Sequence, residues 1–98
     1  MAQVRWTPQA ADDLDAIAEF ISQDSRHYAT LFVIDVLQAV DRLSDFPKLG
    51  RVVPEIGDPS VREIILGSYR IIYRFRKNLA EILTVFHGSR ILDPSKLN

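Results

Sequence analysis

Val61 to Arg90, VREIILGSYRIIYRFRKNLAEILTVFHGSR, decides the fold. Runs rich in β-branched and aromatic residues are separated there by Gly67-Ser68 and by Arg76-Lys77-Asn78-Leu79, so the stretch reads as three consecutive strands joined by two turns. Its middle run alternates Tyr69, Ile71, Tyr73 and Phe75 with Arg70, Ile72, Arg74 and Arg76, and successive strand side chains point to opposite faces. Gly67-Ser68 suits a two-residue turn, and the second break suits a longer one in which Asn78 takes a positive φ. Both turns predict antiparallel neighbours.

Pairing Leu66 with Tyr69 and Phe75 with Ala80 sets the register by counting back along each hairpin. One face then carries Ile64, Leu66, Ile71, Tyr73, Phe75, Ile82, Thr84 and Phe86, with Arg62 at its margin. The other carries Glu63, Ile65, Arg70, Ile72, Arg74, Glu81, Leu83, Val85 and His87. Glu63 falls diagonal to Arg70 and Arg74, and Glu81 opposite Arg74, within reach of cross-strand charge pairing.

Working back toward the start of the chain, Val4-Arg5-Trp6 can add an edge strand. Thr7-Pro8 then opens a helix, because a threonine hydroxyl can accept from a free helix-terminal N–H and proline is tolerated at the first helical position. Leu14, Ile17, Ala18 and Ile21 recur at helical spacing, which predicts a helix to about Ser22. Asp24 or Ser25 caps a second helix, whose apolar positions run from Ala29 through Val36 and Val40 to Leu43 before Phe46-Pro47 ends it. Two helices so closely linked pack as an antiparallel hairpin. From Lys48 to Pro59 the chain reads as an ordered loop with Val52-Val53 as possible strand material, and the tail from Asp93 to Asn98 as surface. The expected class is α+β: a β-α-α-β-β-β chain with two helices on one face of an antiparallel sheet.

Ninety-eight residues, 47% hydrophobic and 26% charged, suit one globular domain over residues 1–98 with a single modest core. Without cysteine there is no disulfide framework or thiolate metal site, and two histidines make a histidine-rich site implausible, so no cofactor or metal is expected. MAQVRWTP lacks an apolar signal core and no run approaches a membrane span, which points to the cytoplasm and away from a membrane partner. The net charge of −1 hides an asymmetry. Residues 1–47 hold 3 Arg/Lys and 8 Asp/Glu, net −5, whereas residues 48–98 hold 9 and 5, net +4. A basic sheet half suggests an acidic partner on one face. With both helices on the other side, Ile65, Ile72, Leu83 and Val85 would form an exposed apolar patch rimmed by Arg70, Arg74 and His87, a surface for a partner or a second copy.

GRVVPEI (50–56), VREIILGSYRIIYRF (61–75) and EILTVFHGSR (81–90), after a helical hairpin opening TPQAADDLDAI, resemble the RelE/ParE superfamily of toxins from bacterial type II toxin–antitoxin systems. The likeness spans nearly the whole chain. It implies a cognate acidic antitoxin in a heteromeric complex, and a target that is either DNA gyrase, as for ParE-like members, or the ribosome and its messenger RNA, as for RelE-like ribonucleases. A member that has kept the fold as a non-toxic interaction module is the third reading. By position, Arg70 matches the family's strand arginine, His87 a histidine used by some of the ribonucleases, and Arg51, Arg62 and Arg90 recurrent basic positions. Under the nuclease reading His87, Arg70, Arg90, Arg62 and Glu63 would be catalytic, with Glu55 as a further carboxylate. The pattern departs where Gly88 stands in place of a catalytic tyrosine, and in having no lysine cluster. The antitoxin is expected on Ile65, Arg70, Ile72, Arg74, Leu83 and Val85.

Overall fold

A computed structural model describes residues 1–90 together with Leu92, Ser95 and Leu97. The elements follow in the order β1 (Gln3–Trp6), α1 (Pro8–Ser22), α2 (Arg26–Asp41), a 3-10 turn (Arg42–Ser44), β2 (Arg51–Val52), β3 (Val61–Leu66), β4 (Tyr69–Arg76) and β5 (Leu79–His87). The sheet order is β1-β5-β4-β3-β2. Every pairing is antiparallel except that of β1, which runs parallel to β5 with Arg5 opposite Glu81. The sheet is therefore mixed at one edge, where β1 pairs with β5 across the length of the chain and not through a hairpin.

Local chemistry places the boundaries. Thr7 accepts from the Ala10 N–H and donates its own hydroxyl to the Ile82 carbonyl at 2.7 Å, so one residue caps α1 and ties its start to β5. Ser25 caps α2 in the same way by accepting from the Tyr28 N–H. Gly67, with φ +59°, makes the first turn. The second is a two-residue turn too, tighter than expected: Arg76 pairs with Leu79, and both Lys77 (φ 52°) and Asn78 (φ 60°) are left-handed, as a type I′ hairpin requires.

Two apolar clusters sandwich the sheet. Under the helices, Leu14, Val36, Val40 and Leu43 pack on Ile71, Tyr73, Ile82 and Val85. On the opposite face Val53, Val61, Ile72, Leu83, Leu92 and Leu97 form a second core. This corrects two expectations. The face without helices is covered by the 50–59 loop and by the tail leucines, so Ile72 and Leu83 are buried within the chain and Ile65 alone of the four apolar patch residues is exposed. Leu97 is buried as well, against the surface placement expected of the tail; Asp93, Pro94, Lys96 and Asn98 lie outside the described residues.

A β-bulge makes the third correction. The expected pairs Leu66–Tyr69 and Phe75–Ala80 are present, and Tyr73 faces Ile82, but Ile72 then faces Thr84, leaving Leu83 as the extra residue. Beyond the bulge each side chain changes face. Val85 turns into the helix-side core instead of the partner patch, and Phe86 turns to the second cluster. The Asp13 carboxylate on α1 holds the bulge, accepting from the Thr84 hydroxyl at 2.5 Å and from the Val85 N–H at 3.2 Å.

Candidate functional site

The polar part of the second face is built around Glu63. Its side chain is wholly buried in the middle of β3, where an unpaired carboxylate would be very costly. Arg51 donates to it through Nε at 2.5 Å, and Arg70 through Nε at 2.6 Å and Nη2 at 2.5 Å. The other edge of the Arg70 guanidinium meets Glu55 in a bidentate pair, Nη1 to Oε2 at 2.7 Å and Nη2 to Oε1 at 3.0 Å. Arg70 also lies over the Phe86 ring, 5.2 Å from its centroid. Hydrogen bonding from Arg70 holds the Glu55 carboxyl below its ordinary range, and Glu55 in turn raises the Arg70 guanidinium. Two arginines and two glutamates close on one another, and their formal charges cancel.

The same contacts fasten the loop to the sheet. Glu55 belongs to the loop after β2, so its pair with Arg70 presses Val53 and Ile56 onto Ile72. Arg62 reaches back to the Pro59 carbonyl at 3.1 Å and the Gly50 carbonyl at 2.9 Å. Tyr73, on the helix side of the sheet, donates to the Pro47 carbonyl at 2.8 Å and accepts from the Gly50 N–H at 2.9 Å. A side chain at Gly50 would come within 2.6 Å of the Glu63 carbonyl, so the approach admits glycine only.

At the end of β5, His87 is exposed and stacks edge-on against Tyr69, which packs on Phe32 of α2. Its Nδ1 accepts from the Ser89 N–H at 3.1 Å, so the neutral ring carries its proton on Nε2. A cleft of about 440 Å³ opens between His87, Tyr69, Ile65, Arg70, Arg51 and Glu55. Of the nuclease set, this brings His87 and Arg70 to one cleft. Arg90 lies across the Tyr69–His87 ridge in a second groove, Glu63 is buried beneath Arg70, and Arg62 faces the loop. Arg74 donates to the Leu97 carbonyl at 3.3 Å, and Glu81, which was expected to pair with it, joins Arg5 of β1 at 2.5 Å. Asp13 escaped sequence reasoning, since its target is distant in the chain and nothing in TVFH marks a bulge. Among the described residues no cluster of metal-ligating side chains occurs, and no helix is long and apolar enough to cross a membrane.

A helical hairpin on one face of a sheet ordered β1-β5-β4-β3-β2 is the RelE/ParE architecture. Residues 4–92 match the family model described as ParE toxin of type II toxin-antitoxin system, parDE. Toxin RelE2 of Caulobacter vibrioides is 33% identical over 92 residues, covering 93% of this chain and 100% of its own length. A solved structure titled "Chromosomal ParDE TA system from P. aeruginosa" superposes with a TM-score of 0.73 at 27% identity, covering 89% of this chain and 96% of that one. The chain belongs to the ParE toxin family of type II toxin–antitoxin systems.

Proposed function

We propose that this toxin acts by inhibiting DNA gyrase, held in check by a cognate antitoxin. The observation that carries the choice is the closed charge cluster. Cutting RNA through its own 2′-hydroxyl requires a base, an acid and cations free to meet the phosphate. Arg70 is the cation that the resemblance would assign to that phosphate, yet both edges of its guanidinium are taken by Glu63 and Glu55. Arg62 is directed to backbone carbonyls, and Glu63, a candidate base, is sealed between two arginines. The cleft beside His87 thus offers little net positive charge to a nucleic acid. The family model carries the name ParE, the branch for which the resemblance implies gyrase, while the name RelE2 of the Caulobacter relative keeps messenger RNA cleavage as the competing reading.

The test is a target assay with purified protein. Inhibition of gyrase supercoiling with accumulation of DNA cleavage complexes is the expected result, and codon-linked cuts in translated messages would replace it with the nuclease reading. His87→Ala should leave toxicity within a few fold, whereas loss of a true general acid or base costs ~10²–10⁴ in rate. Normal growth on induction, with folded protein confirmed, would leave the non-toxic interaction module.

A further inference from the structure

The two faces of α2 have different tasks. Its inner face packs: Val36, Ala39 and Val40 are buried in the helix-side core, and Phe32 and Val33 lie against it. The outer half of the circumference carries Leu31, Ile34 and Leu37, between 40% and 48% exposed, with Tyr28 at 67%. Helical residues advance by about 100° each, so His27, Leu31, Ile34, Gln38 and Asp41 line up along the middle of that outer half. All five are exposed. Their steps of four, three, four and three residues are those of a seam that packs on another helix, here with aliphatic side chains at its centre and polar ones at its ends.

Charge says what fits the seam. Asp24 and Arg26 stand at one end of this face, and Asp41 and Arg42 at the other. Among the described residues none of these four side chains has a hydrogen-bond or ion-pair partner. Turned end for end about a twofold axis, the helix meets itself with each flank on its own like. Placing Leu31 over Ile34 of a second copy sets His27 beside Gln38 and Thr30 beside Leu37. In the same register Arg26 comes to Asp41, and Asp24 to Arg42. Asp35 alone finds no cation, and the Tyr28 hydroxyl, which makes no hydrogen bond within the described fold, faces it. A parallel pair would instead put Arg26 on Arg26 and Asp41 on Asp41, like charge on like.

We propose that the outer face of α2 binds a second copy of this chain as an antiparallel, twofold-symmetric helix pair. A seam with two aliphatic side chains from each copy is small and belongs with transient contacts, so a dissociation constant of roughly tens of micromolar is expected. Dilute chains are then single and accumulated chains paired. The surface is distinct from the cleft beside His87, and the pairing does not depend on which target the toxin has.

The experiment follows the full chain by sedimentation over a concentration series. Wild type should show a reversible monomer–dimer equilibrium. Ile34→Lys, at a position open enough to carry the longer side chain, should raise the dissociation constant at least about tenfold. Arg26→Glu should weaken pairing about threefold, and adding Asp41→Arg to it should restore the wild-type value, because the swapped charges meet again across the axis. Cysteine is absent from the sequence, so Leu31→Cys and Ile34→Cys chains can be mixed and oxidised. The mixed disulfide should outrun both homodisulfides; homodisulfides in its place overturn the antiparallel register. Melting temperatures near that of wild type establish that each variant is folded. A wild-type chain that stays monomeric throughout the series overturns the proposal, as does a dimer that Ile34→Lys leaves intact. If the chain stays monomeric and Ile34→Lys instead loses binding to the small protein encoded beside it, the face belongs to the antitoxin and the proposal fails.

Discussion

Ile71 and Ile72 are neighbours in β4, both fully buried, and the two sides of the sheet that bury them are closed by different chemistry. Ile71 points at the helices, where regularly spaced side chains from α1 and α2 supply a continuous apolar layer. Ile72 points at a cover made of a loop and two tail leucines, beside Glu63, Arg70 and Arg51. On the helix side many contacts share the load and a lost methyl group costs in proportion to its volume. On the loop side a few polar contacts decide whether the cover is in place at all, and breaking one leaves a buried charge behind.

The sharpest way to break that contrast is Glu63→Ala. It removes the shared acceptor and leaves the buried Arg70 beside a cavity, so unfolding in urea should reveal a loss of about 3–5 kcal/mol. A loss under about 1 kcal/mol would show that water reaches the cluster and that its closure is only apparent. Tyr73→Phe comes next, because it withdraws the donor from the Pro47 carbonyl and strands the Gly50 N–H, at a cost of about 1–3 kcal/mol. Hydrogen exchange in that variant should quicken around Gly50 and Val53 before it quickens in the helices. On the helix side Thr7→Ala removes the cap and the bond to Ile82, about 1 kcal/mol, with faster exchange at Ala10.

The smallest effect is with acid. Glu55 has a carboxyl pKa lowered by Arg70 from the usual 4.5, so its contribution is fully present above pH 4.5 and is lost as pH falls through the lower, folded value. Its side chain is about a third exposed, which limits the contribution to less than about 1 kcal/mol. Comparing the melting temperatures of wild type and Glu55→Gln from pH 6 to pH 3 should show the gap closing toward the acid end. A gap that widens there would mean that the Arg70 pair does not set the shift.

The helix side was legible because its signals are periodic and local. Thr7 and Ser25 announce the caps, the apolar spacing announces the stripes, and Gly67 and Asn78 mark the turns that fix both hairpins. The loop side was legible only in its polar part, where strand alternation brought Glu63 beside Arg70. What covers Ile72 and Leu83 was hidden, since Val53, Leu92 and Leu97 sit in stretches without periodicity and reach the sheet from different directions. The bulge was hidden for another reason. Register counting assumes an unbroken ladder, and the group that sustains the break, Asp13, lies on a helix 71 positions away. One extra residue moved Val85 from an expected contact surface into the core.

The parallel edge strand also bears on the order in which the molecule assembles. Arg5 meets Glu81, 76 positions later in the chain, the Gln3 N–H donates to the Asn78 carbonyl, and the Asn78 side chain donates to the Met1 carbonyl. The hairpins of β3, β4 and β5 close over two residues each, whereas β1 must wait for a loop of nearly the whole chain to close. The first strand to be synthesised is thus the last to be placed, and the Lys77-Asn78 turn has to exist before it can dock. In pulse-labelled refolding the Ile71 and Ile82 amides should become protected before that of Arg5. A ribosome still completing β5 would therefore carry a chain whose sheet lacks one edge.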